Sequence, residues 1–285
     1  MTPGTDALVA VQDLSVAFRA PSRERGQLRR QMTAVVANVS FTIQERGVLA
    51  LIGASGSGKT TISLAIAGVG SISGGSIRVI DEVLTPRARR LRRRRADVQM
   101  VLQDPFSSFD PRQSIRSGLR ELQHLHPERT TWTAHEELLD LVRLPSALLD
   151  RLPHELSGGQ LQRVSIARAL YLQPRLVIAD EPTSALDVAT QTQLLDLLLS
   201  LRADLGVTLL FVTHDLAVVD HVADDVIVLQ RGHIVESGPR EQVLNNPQEG
   251  YTRHLLDALP GRTMASLLGG PTRDDRAPLQ PGDGQ

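Results

Sequence analysis

The 285-residue sequence predicts an α/β fold, with a parallel central sheet, an antiparallel β-subdomain at the N-terminus and an inserted α-helical subdomain. Three patterns predict it. Short apolar runs, typical of strands covered on both faces, alternate with segments of helical period in the second half of the chain. Residues 7–50 alternate between apolar and polar, as half-buried antiparallel strands do. Residues 104–165 show helical patterns and no convincing strand.

Four apolar runs outline the central sheet. Helical segments separate them, notably Gln191–Leu201, where leucines recur at helical spacing. A strand–helix–strand order predicts parallel strands joined by right-handed crossovers. The four runs are Val48–Ile52, Leu176–Ala179, Leu209–Val212 and Val226–Leu229.

The remaining segments suggest how the chain is divided. We expect one domain over residues 1–262, with the helical subdomain at about 104–165. The polar, arginine-rich stretch Pro21–Gln31 interrupts the N-terminal alternation, so we predict a loop there. Gly269–Gln285 is rich in Gly, Pro and Asp, so residues 263–285 are expected to form a flexible tail.

Composition excludes several classes of function. The formal net charge is −1, so a general attraction to nucleic acid or to an anionic membrane is not expected. The chain has no cysteine, which excludes disulfides, catalytic thiols and thiolate-held zinc or iron–sulfur clusters. No apolar run reaches about 18 residues, and the N-terminus lacks the order of a secretion signal. We therefore expect a soluble, cytoplasmic protein that reaches a membrane only through a partner.

A phosphate-binding motif follows the first buried run. Residues 53–60 read Gly-Ala-Ser-Gly-Ser-Gly-Lys-Thr, which fits G-x-x-x-x-G-K-[ST], and a helix-compatible stretch begins at Lys59. In such a loop backbone N–H groups surround the β-phosphate and the helix N-terminus favours negative charge. Lys59, the only lysine, would bridge the β- and γ-phosphates, and the Thr60 hydroxyl would ligate Mg²⁺. A Gly/Ser-rich turn could match by chance, but its position between a strand and a helix disfavours this. The predicted nucleotide-binding residues here are Gly53, Ser55, Gly56, Ser57, Gly58, Lys59, Thr60 and Thr61.

Two adjacent carboxylates, Asp180 and Glu181, end the Leu176–Ala179 run, where open α/β sheets bind ligands. Neighbours on an extended chain point in different directions and so serve different purposes. We assign Asp180 to the magnesium shell through water, and Glu181 to activating the attacking water as general base. The alternative is a helix-starting Asp-Glu-Pro turn without a catalytic role.

Residues 156–160 indicate which class of phosphate-loop protein this is. They read Leu-Ser-Gly-Gly-Gln, followed by the helix-compatible stretch Gln162–Tyr171, and they resemble the signature motif of ATP-binding-cassette ATPases. The resemblance implies a RecA-like P-loop NTPase core that binds ATP and Mg²⁺. It also implies that Ser157, Gly158, Gly159 and Gln160 contact the γ-phosphate of an ATP held by another subunit.

Further residues match the family pattern in chain order. Gln103, after the predicted strand at 98–102, is similar to the glutamine that senses Mg²⁺ and the attacking water. Ser184–Asp187 resembles the D-loop, in which Asp187 crosses the subunit interface. His214 resembles the switch histidine at the γ-phosphate, and Phe18 falls where an aromatic residue stacks on adenine. Each taken alone would more often be structural: a turn glutamine, a structural histidine or a core phenylalanine.

Each motif occurs once, and in the family that the chain resembles the signature motif of one subunit completes the phosphate site of the other. The resemblance therefore implies a dimer with a second cassette ATPase, identical or homologous, in which two ATP molecules lie between the subunits. Hydrolysis removes the γ-phosphate bridge and lets the halves separate.

Other stretches are similar to the oligopeptide, dipeptide and nickel importer branch of this family. That resemblance implies transmembrane permease subunits contacting residues of about 104–150, an extracytoplasmic solute-binding protein, and attachment at the cytoplasmic face of the membrane. Glu249-Gly250, in place of the usual His-Pro, and Ala54, in place of a common Glu, leave the cargo open among peptides, nickel and related solutes. The stretches are 103–108, 110–112, 232–238, 246–247, 251–253 and 255–256.

Two alternative protein classes remain at this stage. The chain could be a cassette ATPase without a permease, such as a cluster-assembly or carbon–phosphorus-lyase accessory subunit. A P-loop kinase or GTPase is disfavoured by the signature motif and His214.

The arginine run Arg87–Arg95 suggests nucleic-acid or lipid binding, but no aromatic residues interleave it, so we expect a solvated helix face and no nucleic-acid partner. His124 and His126, with His135 nearby, suggest a metal site, but alternate residues on a helix point to different faces, so we do not expect one.

Overall fold

A computed structural model describes residues 7–24, 27–86, 94–129, 132 and 134–257. The described strands form a four-stranded antiparallel sheet, in the order β2-β1-β4-β5, and a six-stranded sheet, in the order β10-β9-β3-β8-β7-β6. In the larger sheet five strands are parallel and β10 is an antiparallel edge, which confirms the predicted fold class. The strands are β1 (Ala7–Glu24), β2 (Gln27–Gln44), β3 (Val48–Ile52), β4 (Gly74–Val79), β5 (Glu82–Leu84), β6 (Val98–Val101), β7 (Leu176–Asp180), β8 (Thr208–Val212), β9 (Asp225–Gln230) and β10 (His233–Pro239).

Helices fill the spaces between the strands. Of the described residues between 104 and 165, all lie in helices or their connections and none in a strand. The limits of a helical subdomain there stay a prediction, and the predicted tail lies outside the described residues. The helices are α1 (Lys59–Ile66), α2 (Arg94–Asp97), α3 (Ile115–Leu125), α4 (His135–Leu141), α5 (Gly158–Leu170), α6 (Val188–Leu205), α7 (Leu216–Val222), α8 (Arg240–Asn245) and α9 (Gly250–Asp257), with 3₁₀ turns at Pro105–Ser108, Pro127–Arg129, Ser146–Asp150 and Pro153–Glu155.

The central parallel strands lie inside the molecule. Every residue of β3, β7 and β8 is buried, as continuous apolar runs predict for strands covered on both faces. Because β3, β6, β7 and β8 run parallel, their carboxyl ends meet at one edge of the sheet. Ligands of open α/β sheets bind at this edge. Among the described helices, none combines the length and apolar character needed to cross a bilayer.

The loop predicted at Pro21–Gln31 is wrong. Strands β1 and β2 continue as an antiparallel ribbon, in which Pro21 pairs with Arg30 and Glu24 pairs with Gln27. The ladder is made by backbone groups, so polar side chains do not prevent it. Beyond Ser15, no strand of the described residues pairs with the other edge of β1, and proline is tolerated at such an edge. Of the arginine run, residues 87–93 lie outside the described residues, and α2 begins at Arg94.

Candidate active site

The phosphate loop, residues 53–60, links β3 to α1 at the carboxyl edge of the sheet. Gly53, Gly56 and Gly58 have φ values of 150°, 78° and 108°, conformations that residues with a Cβ rarely adopt. At Gly53 a Cβ would also lie 2.2 Å from the carbonyl oxygen of Leu229. Ala54, Ser55 and Gly56 are exposed, so the loop presents its backbone to a ligand from solvent.

Lys59 is buried within this loop, and its ammonium already has partners. Nζ donates to the carbonyl oxygens of Gly53, at 2.7 Å, and Ala54, at 3.1 Å. Burial lowers the pKa of Lys59, and the nearby carboxylates of Glu181 and Asp180 oppose that shift. The Oγ atom of Ser57 is buried and has no hydrogen-bond partner within the described part of the chain. Because an unsatisfied buried hydroxyl is costly, Ser57 fits a site that receives phosphate oxygens.

Asp180 and Thr60 place two oxygen ligands side by side next to the loop. Asp180 ends β7, is 7% exposed, and is hydrogen-bonded to Thr60. Burial raises the pKa of Asp180, while the hydrogen bond from Thr60 opposes the rise. No group of three or more His, Asp or Glu side chains suited to a metal occurs in the described ranges. A carboxylate and a hydroxyl without further protein ligands suit Mg²⁺, which keeps waters and takes oxygens from bound phosphates.

Glu181 and His214 form a hydrogen-bonded pair at the ends of neighbouring strands. Oε1 of Glu181 and Nδ1 of His214 are 3.0 Å apart, and the glutamate is the less exposed side chain, at 18% against 58%. Glu181 does not continue the extended strand. Its φ is 48°, and its N–H donates to the carbonyl oxygen of Val212 at 2.8 Å. This turn separates its carboxylate from that of Asp180.

Gln103 lies just after β6, at the same edge of the sheet, and is exposed. Strand β6 ends one residue before the predicted strand does, at Val101. The next residue, Asp104, caps the 3₁₀ turn that begins at Pro105, by accepting from the N–H of Phe106 at 3.0 Å. Gln103 therefore connects the sheet edge to the helical segment.

The signature segment, residues 157–160, forms the first turn of α5. The helix begins at Gly158 and not at the predicted Gln162, because Ser157 and Gln160 cap each other: Oγ of Ser157 accepts from the N–H of Gln160, and Oε1 of Gln160 accepts from the N–H of Ser157. A Cβ on Gly158 would meet nothing within 4 Å, whereas a Cβ on Gly159 would lie 2.8 Å from Cγ2 of Thr190. Gly159 thus allows α6 to approach, and Gly158 leaves open space at the helix N-terminus.

Asp187 caps α6 in its own chain. Its carboxylate accepts from the N–H of Thr190 at 3.0 Å and from the Thr190 hydroxyl at 2.7 Å, and these hydrogen bonds lower its pKa. One residue further along α6, Gln191 donates to the carboxylate of Asp215 at 3.1 Å. Asp215 directly follows His214, so α6 links the predicted D-loop to the predicted switch histidine.

Phe18 is half exposed, at 50%, which excludes a role as a core phenylalanine. It pairs with Thr33 across the β1–β2 ribbon. Two residues further along β2, the carbonyl oxygen of Val35 would lie 3.1 Å from a Cβ on Gly58. Phe18 therefore lies on the strand next to the one that flanks the phosphate loop.

The predicted residues fall into two groups. Lys59, Thr60, Asp180, Glu181 and His214 are brought together at the carboxyl edge, with hydrogen bonds or charge interactions among them. Among the described residues, no hydrogen bond or ion pair joins the phosphate loop to the signature segment. Within the described ranges, no hydrogen bond or ion pair joins the phosphate loop to the other predicted residues, Gln103, Phe18 and Asp187.

Some contacts of the phosphate loop were not predicted. The carbonyl group of Leu229 packs against Gly53, where a Cβ would clash with it. The N–H of Gly232 donates to the Ser57 carbonyl at 2.9 Å, and the N–H of Ala54 donates to the Tyr251 hydroxyl at 3.1 Å. The Ala54 and Tyr251 positions are 197 residues apart in sequence, so no local pattern signals the contact.

Comparison with known proteins identifies the family. The family model described as ABC transporter matches residues 36–184. The chain is 39% identical over 267 residues to the oligopeptide transport ATP-binding protein OppF of Escherichia coli (strain K12), covering 91% of this chain and 80% of that protein. It is 41% identical over 267 residues to a putative peptide import ATP-binding protein of Brucella ovis, covering 90% of this chain and 83% of the relative.

A solved structure agrees with these matches. An ATP-binding cassette determined as a dimer in a post-hydrolysis state with ADP and Pi superposes with a TM-score of 0.69 at 26% identity, over 81% of this chain and 98% of that one. The fold and the sequence relatives together define the class: the chain belongs to the ABC transporter ATP-binding family and is an ATPase. The predicted resemblance to this family is confirmed.

Proposed function

We propose that this chain is the ATP-binding and ATP-hydrolysing subunit of a membrane importer for peptides. The proposal of ATP hydrolysis rests on one observation: the phosphate loop and the Glu181–His214 pair lie at the same edge of the sheet. The importer part is supported by the relatives at about 40% identity, which are named for peptide import and not for nickel uptake.

ATP binds with its phosphates in the phosphate loop. Backbone N–H groups of residues 55–60 surround the β-phosphate, and the α1 N-terminus adds a favourable dipole. Lys59 exchanges the carbonyls of Gly53 and Ala54, which it contacts now, for β- and γ-phosphate oxygens. Phe18, exposed on β1, stacks on the adenine ring.

Mg²⁺ fits the oxygen ligands beside the loop. The Thr60 hydroxyl would hold the ion directly and Asp180 would hold it through water. Bound there, the ion would offset the negative charge of the β- and γ-phosphates. Gln103, at the same edge, is placed to respond to it.

Hydrolysis is a displacement at the γ-phosphorus. The oxygen of a water molecule bonds to phosphorus while the bond to the β–γ bridging oxygen breaks, which yields ADP and phosphate, and Glu181 accepts the water proton. Since a carboxylate only accepts, Nδ1 of His214 donates to Oε1 and leaves Oε2 of Glu181 for the water.

The signature segment completes the site of a second subunit. Ser157 uses its oxygen as an acceptor for the Gln160 N–H, so its hydroxyl proton stays available to a γ-phosphate. Gly158 adds open space at a helix N-terminus, and Asp187 lies exposed at the start of α6. Two ATP molecules thus bind between two such subunits, and loss of the γ-phosphate weakens the dimer interface.

Transport through a membrane requires partner proteins. Permease subunits carry the solute, contact the helical segment of about residues 104–150, and hold this subunit at the cytoplasmic face of the membrane. An extracytoplasmic binding protein selects the peptide. Phe106, 48% exposed in the 3₁₀ turn that follows Gln103, supplies an apolar contact for a permease helix.

Isolation of the native complex tests the importer assignment. An affinity-tagged chain expressed in its own host should co-purify from detergent-solubilised membranes with multispanning permease proteins. Phe106→Glu should abolish that co-purification while MgATP binding stays within twofold of wild type, because a charge in an apolar contact is costly and Phe106 lies outside the phosphate site.

The matched control is Leu205→Glu, at an exposed leucine that ends α6. It should leave the complex intact. Co-purification with soluble assembly proteins and no multispanning protein would contradict the importer assignment and favour the accessory-subunit alternative.

A further inference from the structure

The phosphate loop is held from outside by the C-terminal part of the chain. The N–H of Ala54, at the start of the loop, donates to the hydroxyl oxygen of Tyr251 in α9 at 3.1 Å. The N–H of Gly232, in the turn between β9 and β10, donates to the carbonyl oxygen of Ser57 at 2.9 Å. The loop backbone is therefore held at two points, Ala54 and Ser57, by residues that follow it by more than 170 positions.

Helix α9 is itself fixed on β10, so Tyr251 is not a loosely placed side chain. The carboxylate of Glu236 accepts from the N–H groups of Gln248, at 2.8 Å, and Glu249, at 3.3 Å, just before the helix. Arg253 donates to the carbonyl oxygens of Pro247 and Gln248. Two turns of α9 face the core, through the buried residues Thr252 and Leu256.

The loop gains order from the Tyr251 contact. Gly53 and Gly56 allow many backbone conformations, and each must be fixed before the N–H groups converge on a phosphate. Tyr251 also occupies the Ala54 N–H, so that donor is kept out of the set available to the ligand. A site ordered in advance binds more tightly because less conformational entropy is lost on binding.

We infer that Tyr251 is a positioning residue for nucleotide binding, and that α9 is part of the ATP site. Its hydroxyl holds the start of the phosphate loop in the conformation that receives the phosphates. The inference rests on the proposed assignment of residues 53–60 to the phosphates of ATP. It concerns ADP as much as ATP, because the loop surrounds the β-phosphate that both carry.

Tyr251→Phe tests it, since this change removes the hydroxyl and keeps the ring. The dissociation constants of MgATP and MgADP should rise by the same factor, about fivefold, which corresponds to about 1 kcal/mol. KM for ATP should rise with it while kcat stays within twofold, as expected for lost binding that is equal in ground and transition states. Amide hydrogen exchange at Ala54 should become faster.

Tyr171→Phe is the matched control, because it removes the same atom from the other tyrosine, which stacks on His135 away from the loop. It should leave both dissociation constants unchanged. Nucleotide affinities of Tyr251→Phe equal to wild type, or a fall in kcat without a change in KM, would overturn the inference. Lys59→Ala distinguishes a failure of the proposed ATP site from a failure of the role of Tyr251. If Lys59→Ala binds ATP normally, the proposed site is wrong. If Lys59→Ala loses ATP binding and Tyr251→Phe does not, only the role of Tyr251 is refuted.

Discussion

Replacing Glu181 by glutamine should produce a protein that binds MgATP and dimerises but hydrolyses ATP at least about 100-fold more slowly. The amide has nearly the shape of the carboxylate but cannot accept the water proton. It can still accept a hydrogen bond from Nδ1 of His214, now 3.0 Å from Oε1, so the geometry of the pair is preserved. In the proposed cycle hydrolysis reopens the dimer, so the variant should also accumulate as an ATP-bound dimer. Steady-state phosphate release and size-exclusion chromatography with MgATP measure the two effects.

The control is Glu128→Gln, which makes the same chemical change at a side chain that is 69% exposed in the helical segment. It should retain wild-type turnover. A Glu181→Gln protein with wild-type turnover would refute the assignment of Glu181 as general base, whatever its oligomeric state.

Lys59→Ala should lose ATP affinity by about 100-fold and with it nearly all ATPase activity. In the proposed complex the ammonium would make charge-assisted hydrogen bonds to the phosphates, each worth about 1.5–3 kcal/mol. The change also leaves the carbonyl oxygens of Gly53 and Ala54 without their present donor, so the loop loses an internal support. Fluorescence titration with a labelled ATP analogue measures the affinity.

Lys59→Arg is the informative comparison for this prediction. It keeps the positive charge but cannot reproduce a compact ammonium inside a buried loop, so it should also bind poorly. Near-normal binding by both variants would show that the phosphates lie elsewhere. A normal thermal unfolding midpoint for both proteins establishes that the effect is local.

The central sheet could be predicted because its signals are local in sequence. Runs such as Val48–Ile52 are apolar throughout, as expected for a short strand that is covered on both faces. The phosphate loop and Asp180 follow such strands directly, so their position at the carboxyl edge follows from strand direction alone. The signals for His214 and Gln103 came from family resemblance, and the structure adds the hydrogen bond that pairs His214 with Glu181.

The predicted loop at Pro21–Gln31 and the predicted start of α5 were wrong for different physical reasons. At Pro21–Gln31 the ribbon is held by backbone hydrogen bonds, which leave no trace in side-chain polarity. At α5 the signal was present, because Ser157 and Gln160 have the spacing of a capping box, which places the helix start at Gly158.

The contacts that distant residues make with the phosphate loop could not be predicted from the sequence. Tertiary structure alone brings the loop together with Leu229, Gly232 and Tyr251. The φ of 48° at Glu181 is likewise imposed by tertiary structure, because its N–H is held by the neighbouring strand at Val212.

Mixing two inactive variants tests most directly whether two subunits share each ATP site. Lys59→Ala disables the phosphate loop, and Gly158→Glu places a negative charge in the open space at the signature helix, where the fold has room for it. In a mixed dimer, the loop of the Gly158→Glu protein faces an intact signature segment on the Lys59→Ala protein. An equal mixture should therefore recover about a quarter of wild-type ATPase activity, one intact site in half of the dimers. A mixture as inactive as its components, with the wild-type chain active under the same conditions, would contradict the account.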